Sequence, residues 1–258
     1  MRPYYEDDMV AIYNGDCRDI LPHVLPPNSC IVTDPPYGTG WVRGGGPKAG
    51  DFDAQMSGAD WDKWDSSWLR LCSSEKVSCF AVFAPDSRIG DLQSLLGRTR
   101  LRYYVKSNPR PPLGGNDSPS VEPIVIYPRI RFSRGPAHLV AYNGDCIHHP
   151  CEKPLSVMSW IISGCASVDE TVVDPFMGGG STLRAAKNLS RRCIGIELDE
   201  SYCEVAAKRM AQCVLDLGAR DIKEAGETAY NKPLTGSEVE QQDIFEGSTS
   251  STQTAKEQ

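Results

Sequence analysis

Short apolar runs, each cut off by glycine, proline or an acid, alternate along this chain with segments whose apolar residues recur every three or four positions. The runs, rich in Val, Ile and aromatic residues, predict buried strands over residues 9–13, 30–34, 77–83, 101–105, 121–127, 171–174 and 192–197. The 3.6-residue spacing predicts helices over 17–25 (despite Pro22), 61–72, 86–96, 155–166, 181–188 and 199–217. Strand and helix in turn predict an α/β fold, a doubly wound and mostly parallel sheet with helices on both faces. Two stretches break the rhythm. Residues 39–60 hold six glycines and little periodicity, and 107–148 contain a Pro/Gly-rich loop followed by an irregular stretch, so both read as functional loops. From residue 219 onward Glu, Ser, Thr, Gln and Gly dominate, which predicts a disordered acidic tail over 219–258 behind a single domain at 1–218.

Composition narrows the setting. A chain of 258 residues, 40% hydrophobic and 24% charged, suits one globular domain with a sizeable core. No apolar stretch approaches the length of a membrane span, and residues 1–8 lack the apolar core of a signal peptide. Most of the ten cysteines lie inside apolar runs, which suits reduced thiols and a cytoplasmic setting. The net charge of −7 excludes a generally basic nucleic-acid binder. Residues 97–134 run the other way, with eight Arg and Lys against two acids and with Tyr103 and Tyr104 among them, the footprint of a polyanionic partner.

Two motifs carry chemistry. The run Cys30-Ile31-Val32-Thr33 stops at Asp34-Pro35-Pro36-Tyr37-Gly38. The prolines fix φ and remove two donors, so a carboxylate, rigid carbonyls and an aromatic ring are presented together at a strand end, where open α/β sheets bind ligands. A planar amine-bearing group can stack on Tyr37 and donate to Asp34 and the Pro35 carbonyl. The second motif is Asp174-Pro175-Phe176-Met177-Gly178-Gly179-Gly180-Ser181-Thr182, a glycine turn that Ser181 and Thr182 can cap as a helix opens. Glu197 ends the next strand, placed for the two hydroxyls of a ribose. Gly178 and Gly180 lack the third glycine of the dinucleotide fingerprint, which favours a nucleoside without a pyrophosphate. Residues 146–151 crowd two cysteines and two histidines too tightly for usual zinc spacing, so no metal is expected. No nucleophile sits in a hydrolase elbow.

Together the two motifs resemble the catalytic and cofactor motifs of S-adenosylmethionine-dependent DNA amino-methyltransferases, in the permuted β-group order. The resemblance implies a Rossmann-like methyltransferase fold, S-adenosyl-L-methionine as cofactor and double-stranded DNA as partner. The implied reaction is methylation of N6 of a flipped-out adenine, with N4-cytosine, an RNA amine, or a catalytically silent nucleic-acid binder as alternatives. Asp34, Pro35, Pro36 and Tyr37 match the catalytic motif. Asn14-Gly15-Asp16 is similar to a segment whose acid approaches the cofactor's adenine. His149-Pro150-Cys151-Glu152-Lys153-Pro154 is similar to one beside its methionine part. The implied cofactor residues are Asp16, Asp34, Lys153, Asp174, Phe176, Gly178, Gly180, Ser181, Thr182 and Glu197. Lys106 and Asn108 fall in a segment resembling the target-base pocket and, with Arg43, Lys48 and Arg110, are the expected DNA contacts. Only about twenty residues separate Pro128 from His149, where larger members place a recognition domain. A short target, or help from a second subunit in a homodimer, follows.

Overall fold

The computed structural model describes residues 1–37, 65–72, 75–107, 120–128, 132, 136–142 and 152–212. The chain separates into two units, Met1–Gln212 and Cys213–Gln258, and the expected acidic tail lies outside the described residues. So do the whole of the expected loop at 39–60 and the first part of the helix expected over 61–72, whose described remainder holds a 3₁₀ turn, Ser67–Leu71.

The first unit is built on a nine-stranded sheet in the order β1-β2-β9-β8-β3-β4-β6-β5-β7. In chain order these strands are β1 Tyr5–Glu6, β2 Val10–Asn14, β3 Ser29–Thr33, β4 Val77–Phe83, β5 Arg100–Lys106, β6 Val121–Tyr127, β7 His138–Ala141, β8 Thr171–Asp174 and β9 Cys193–Glu197. The helices are α1 Cys17–Val24, α2 Asp86–Leu96, α3 Leu155–Cys165, α4 Ser181–Asn188 and α5 Glu200–Ala211. The central run β2-β9-β8-β3-β4 is parallel, while β1, and β6 between β4 and β5, pair antiparallel.

Every residue of β3 is buried, because parallel strands are covered on both faces. Cys30 and Val32 point into one core with α3, α4 and α5, while Ile31 points into the other with α1, Trp68 and Leu92 of α2. Helices therefore cover both faces, as the alternation of strand and helix predicts. Seven buried cysteines are free thiols, packed as small apolar side chains. Among the described residues no helix is long and apolar enough to cross a membrane.

Three local differences from the sequence reading have physical causes. β7 forms inside the stretch expected to be irregular, since pairing with β5 supplies the hydrogen bonds that its own pattern does not advertise. β1, only two residues long, pairs with β2 beside the Asp7 turn, whose carboxylate accepts from Met9 N and Val10 N at 2.8 and 2.9 Å. α4 is capped by Gly180 in the left-handed conformation (φ 79°) rather than by Ser181 or Thr182, whose hydroxyls are used elsewhere.

β3 and β8 lie side by side, and their chains leave in opposite directions, β3 toward β4 and β8 toward β9. That divergence opens a crevice beyond the carboxyl ends of these two strands, the place where doubly wound sheets bind ligands.

Candidate active site

The carboxyl end of β3 delivers Asp34-Pro35-Pro36-Tyr37 to this crevice. The hydroxyl of Tyr37 donates to Asp34 Oδ1 and the ammonium of Lys153 to Asp34 Oδ2, so both carboxylate oxygens are engaged. Lys153 arrives from the segment just before α3, where Pro154 occupies the N-cap, and its Nζ lies 5.1 Å from the centre of the Phe83 ring. It is also 3.3 Å from Glu122 Oε2, on β6, and Glu122 Oε1 lies 2.7 Å from Lys106 Nζ, on β5. Burial raises the Asp34 carboxyl above the ordinary aspartate range; Lys153 pulls it back and Glu122 pushes it up again. Burial also acts to raise Glu122, but the ammonium groups of Lys153 and Lys106 overcome it and leave that carboxyl below its usual range. The Tyr37 phenol is held well above its ordinary value by burial and by Asp34.

One strand away, β8 ends in Asp174 and enters the glycine turn. Asp174 is 3% exposed. Its Oδ1 accepts from Thr33 Oγ1 at 2.6 Å and from Phe176 N at 3.1 Å, and its Oδ2 accepts from Thr182 Oγ1 at 2.5 Å. The two motifs are thus tied together by the residue directly before Asp34. Burial raises Asp174 to about 6 despite these three donors. Gly178 and Gly180 both have positive φ (49° and 79°), and a Cβ on Gly180 would stand 3.0 Å from that of Ala206. Phe176, half-buried, packs edge-on against Trp68 with ring centres 5.4 Å apart.

Glu197, ending β9, closes the far side. Its Oε2 accepts from Gly178 N at 3.0 Å and its Oε1 from Asp199 N at 2.9 Å, so each oxygen keeps lone-pair capacity for a further donor. Burial raises this carboxyl, partly offset by those backbone donors. Gly15 N donates to Glu197 O at 2.9 Å, which brings Asp16 alongside. Asp16 caps α1 by accepting from Arg18 N at 2.8 Å and is paired with the Arg18 guanidinium, which also reaches Asp65 at 3.2 Å.

The structure therefore gathers Asp34, Pro35, Pro36, Tyr37, Lys153, Asp174, Phe176, Gly178, Gly180, Ser181, Thr182 and Glu197 around one crevice, with Asp16 at its edge. Lys106 is paired within the protein. Its side chain, 10% exposed, turns inward to Glu122, because a buried acid on the neighbouring strand needs a cation. Arg102 is likewise buried, donating to Phe132 O with its guanidinium 5.0 Å from the Phe132 ring centre, so part of the basic stretch serves the core. Arg43, Lys48, Asn108 and Arg110 lie outside the described residues, as do 143–151 and the rejected zinc cluster.

Sequence reasoning missed three participants. Thr33 stands at the head of the Asp34 motif, but nothing in the sequence gives its hydroxyl a partner. Glu122 shares a face of β6 with Ile124 and Ile126, and an acid in register with core residues was the available signal. Arg209 pairs with Glu152 at 2.6 Å and donates to Gly179 O at 3.2 Å, bracing the glycine turn from α5. Nothing in the local pattern marked it.

A family described as DNA methylase matches residues 132–208, which include the glycine turn and Glu197 but not Asp34. Type II methyltransferase M2.LlaDCHI of Lactococcus lactis subsp. cremoris is 24% identical, the match covering 81% of this chain and 92% of that protein. M2.DpnII of Streptococcus pneumoniae is 23% identical over 81% and 92%. M.HinfI of Haemophilus influenzae is 25% identical over 82% and 71%. Two solved structures share the fold. The M1.HpyAVI–SAM complex has a TM-score of 0.57 at 24% identity, covering 78% of this chain and 100% of that one. The cytosine-N4-specific PvuII DNA methyltransferase has 0.59 at 18%, covering 90% and 96%.

Proposed function

We propose that this chain, an S-adenosylmethionine-dependent amino-methyltransferase of the N6-adenine/N4-cytosine class, methylates N6 of adenine at a specific site in DNA. The observation that carries the reading is the Thr33–Asp174 hydrogen bond, which holds an amine-accepting motif and a nucleoside-binding turn against each other across the switch point. The Type II designation of the relatives supports a site-specific enzyme of the restriction–modification kind. Asp34, in place of a serine, supports adenine over cytosine.

The donor set fits the cofactor. The spare lone pairs on Glu197 would accept the two ribose hydroxyls. The first-turn N–H groups of α4 would receive the carboxylate of the methionine part. Asp174, with its oxygens satisfied inside the protein, would serve by fixing the turn. Phe176 would flank the adenine. The sulfonium of S-adenosylmethionine supplies an activated methyl group when bound.

The chain's own residues supply the rest. An exocyclic amine is a poor nucleophile because its lone pair is delocalised into the ring. Asp34 and the Pro35 carbonyl, accepting its hydrogens, would favour the pyramidal amine and stabilise positive charge developing on nitrogen. Pro35 and Pro36 hold those acceptors rigid, and Tyr37 would leave Asp34 to stack on the flipped base. Sequence recognition would fall to the loops at 39–60 and 107–148 of a single domain over 1–218, with Arg43, Lys48, Asn108 and Arg110 against the duplex and help from a second copy of the chain. The buried free thiols support a reducing, cytoplasmic setting.

Purified protein incubated with labelled S-adenosylmethionine and unmethylated DNA, followed by nucleoside analysis, tests this reading. Label in N6-methyladenine is expected. Label in N4-methylcytosine, label in RNA alone, or cofactor binding without transfer would each replace it.

A further inference from the structure

A chain of alternating charges stands behind Asp34. Lys153 bridges Asp34 and Glu122, and Glu122 in turn holds Lys106. The supporting side chains are nearly buried, at 10% for both lysines and 12% for Glu122. Charged groups seldom gain stability from burial of this kind, and apolar residues of similar volume would serve the fold as well. The reaction itself poses a problem that this arrangement answers.

The target amine needs a lone pair of Asp34 and its negative charge; Tyr37 and Lys153 each donate to one of its oxygens, and the Lys153 ammonium offsets that charge. Tyr37 can leave, since the base it then stacks on offsets the hydrogen bond it gives up. Lys153 cannot leave so easily. Its ammonium lies in a confined site beside the Phe83 ring, where losing a counter-charge is strongly unfavourable. Glu122 Oε2 removes that obstacle. It is buried, accepts no well-aligned hydrogen bond among the described residues, and stands 3.3 Å from Lys153 Nζ. That is roughly 0.5 Å beyond the length of a charge-assisted hydrogen bond.

We propose that Glu122 is a positioning residue for methyl transfer, receiving Lys153 from Asp34 as the target amine arrives, while Lys106 limits how tightly it does so. The proposal rests on the amino-methyltransferase reading above. Lys153 keeps its protons throughout, so the handover moves a charge by a short side-chain shift and requires no proton transfer. Lys106 is thereby assigned to the reaction centre. Among the described residues the groups facing Asp34 are Tyr37 from its own loop, Lys153 ahead of α3, Glu122 on β6 and Asp174 across the crevice; Lys106 acts on Asp34 through Glu122.

Two substitutions with opposite signs test it. Glu122→Gln removes the second carboxylate beside Lys153, and Lys106→Met removes the second cation beside Glu122. The carboxyl carbon of Asp34, followed by NMR titration of the cofactor-free chain, should titrate lower in Glu122→Gln and higher in Lys106→Met. Simple electrostatic coupling gives those shifts without a handover, so the rate decides between them. On the plateau above the acid limb, single-turnover methyl transfer by Glu122→Gln should fall about tenfold or more while S-adenosylmethionine affinity by calorimetry stays within twofold. An unchanged plateau rate in Glu122→Gln, or Asp34 shifts that vanish or share one direction, overturns the proposal. Should Glu122→Gln fail to fold, the plateau rate of Glu122→Asp decides, since the shorter side chain keeps the charge but falls short of Lys153: a fall of about tenfold is expected, and an unchanged rate overturns the proposal. If the wild type transfers no methyl group, the functional reading fails, whereas the NMR titration still reports on the charge chain.

Discussion

Replacing Thr33 with valine keeps the β-branched shape that β3 requires and removes only the hydroxyl that joins the two motifs. Asp174 Oδ1 then retains Phe176 N as its donor at 3.1 Å. A hydrogen bond to a charged group contributes about 1.5–3 kcal/mol, and one to a neutral group about 1 kcal/mol. Which value applies depends on the charge state of Asp174, whose carboxyl titrates at about 6 in the folded protein against 3.8 ordinarily. The raised value means that the folded chain retains a proton the unfolded chain has released. This group's contribution is therefore fully present below pH 3.8 and is lost as pH rises through about 6. At 1.36 kcal/mol per pH unit, the swing is roughly 3 kcal/mol. Thr33→Val is thus expected to cost about 2 kcal/mol at pH 8, where the carboxylate is charged, and about 1 kcal/mol at pH 5. Urea denaturation at both pH values measures this, and the melting temperature at pH 8 should fall by roughly 4–8 °C. Asp174→Asn is the companion variant, because the difference between its stability curve and the wild type's isolates the titration of this one group. Equal destabilisation by Thr33→Val at the two pH values, or a wild-type minus Asp174→Asn curve that is flat between pH 4 and 7, would refute the reasoning.

Three further outcomes follow from the geometry. Asp34→Ala should lower methyl incorporation at saturating cofactor by about 10²–10³-fold; near wild-type transfer of labelled methyl would remove Asp34 from the reaction. Glu197→Gln replaces one acceptor with a donor opposite Gly178 N or Asp199 N, so calorimetry should show S-adenosylmethionine bound about tenfold more weakly, equivalent to 1.4 kcal/mol. Gly195→Ala would place a methyl group 2.4 Å from Met177 Sδ and 2.7 Å from Leu183 Cδ2. It should destabilise the fold by about 1–3 kcal/mol, read as a lowered melting temperature, and an unchanged value would show that this packing layer yields.

Periodicity and punctuation determined a great deal. The continuous apolar runs of β3, β4, β8 and β9 were legible because a strand buried on both faces tolerates no polar alternation. Asp34-Pro35-Pro36-Tyr37 and the turn from Asp174 to Thr182 were legible because each needs rare residues in succession to set backbone direction and remove donors. Helix ends were less well marked. α5 ends at Ala211 with Gln212 extended, and residues 213–217 of the expected helix lie outside the described residues.

Tertiary structure decided the partners. Asp34, Lys106, Glu122 and Lys153 are far apart in the chain, and only the pairing of β4, β6 and β5, with the entry of α3 over one face, brings them into a single line. From the sequence, Lys106 was an expected DNA contact in a segment resembling the target-base pocket, and Lys153 a residue beside the cofactor. Burial changes what such side chains must do. A charge in water needs no specific neighbour, whereas a charge removed from water is held where an opposite charge meets it. The residue types were written in the sequence, and the sheet's register and the low exposure of this face selected which of them meet at Asp34.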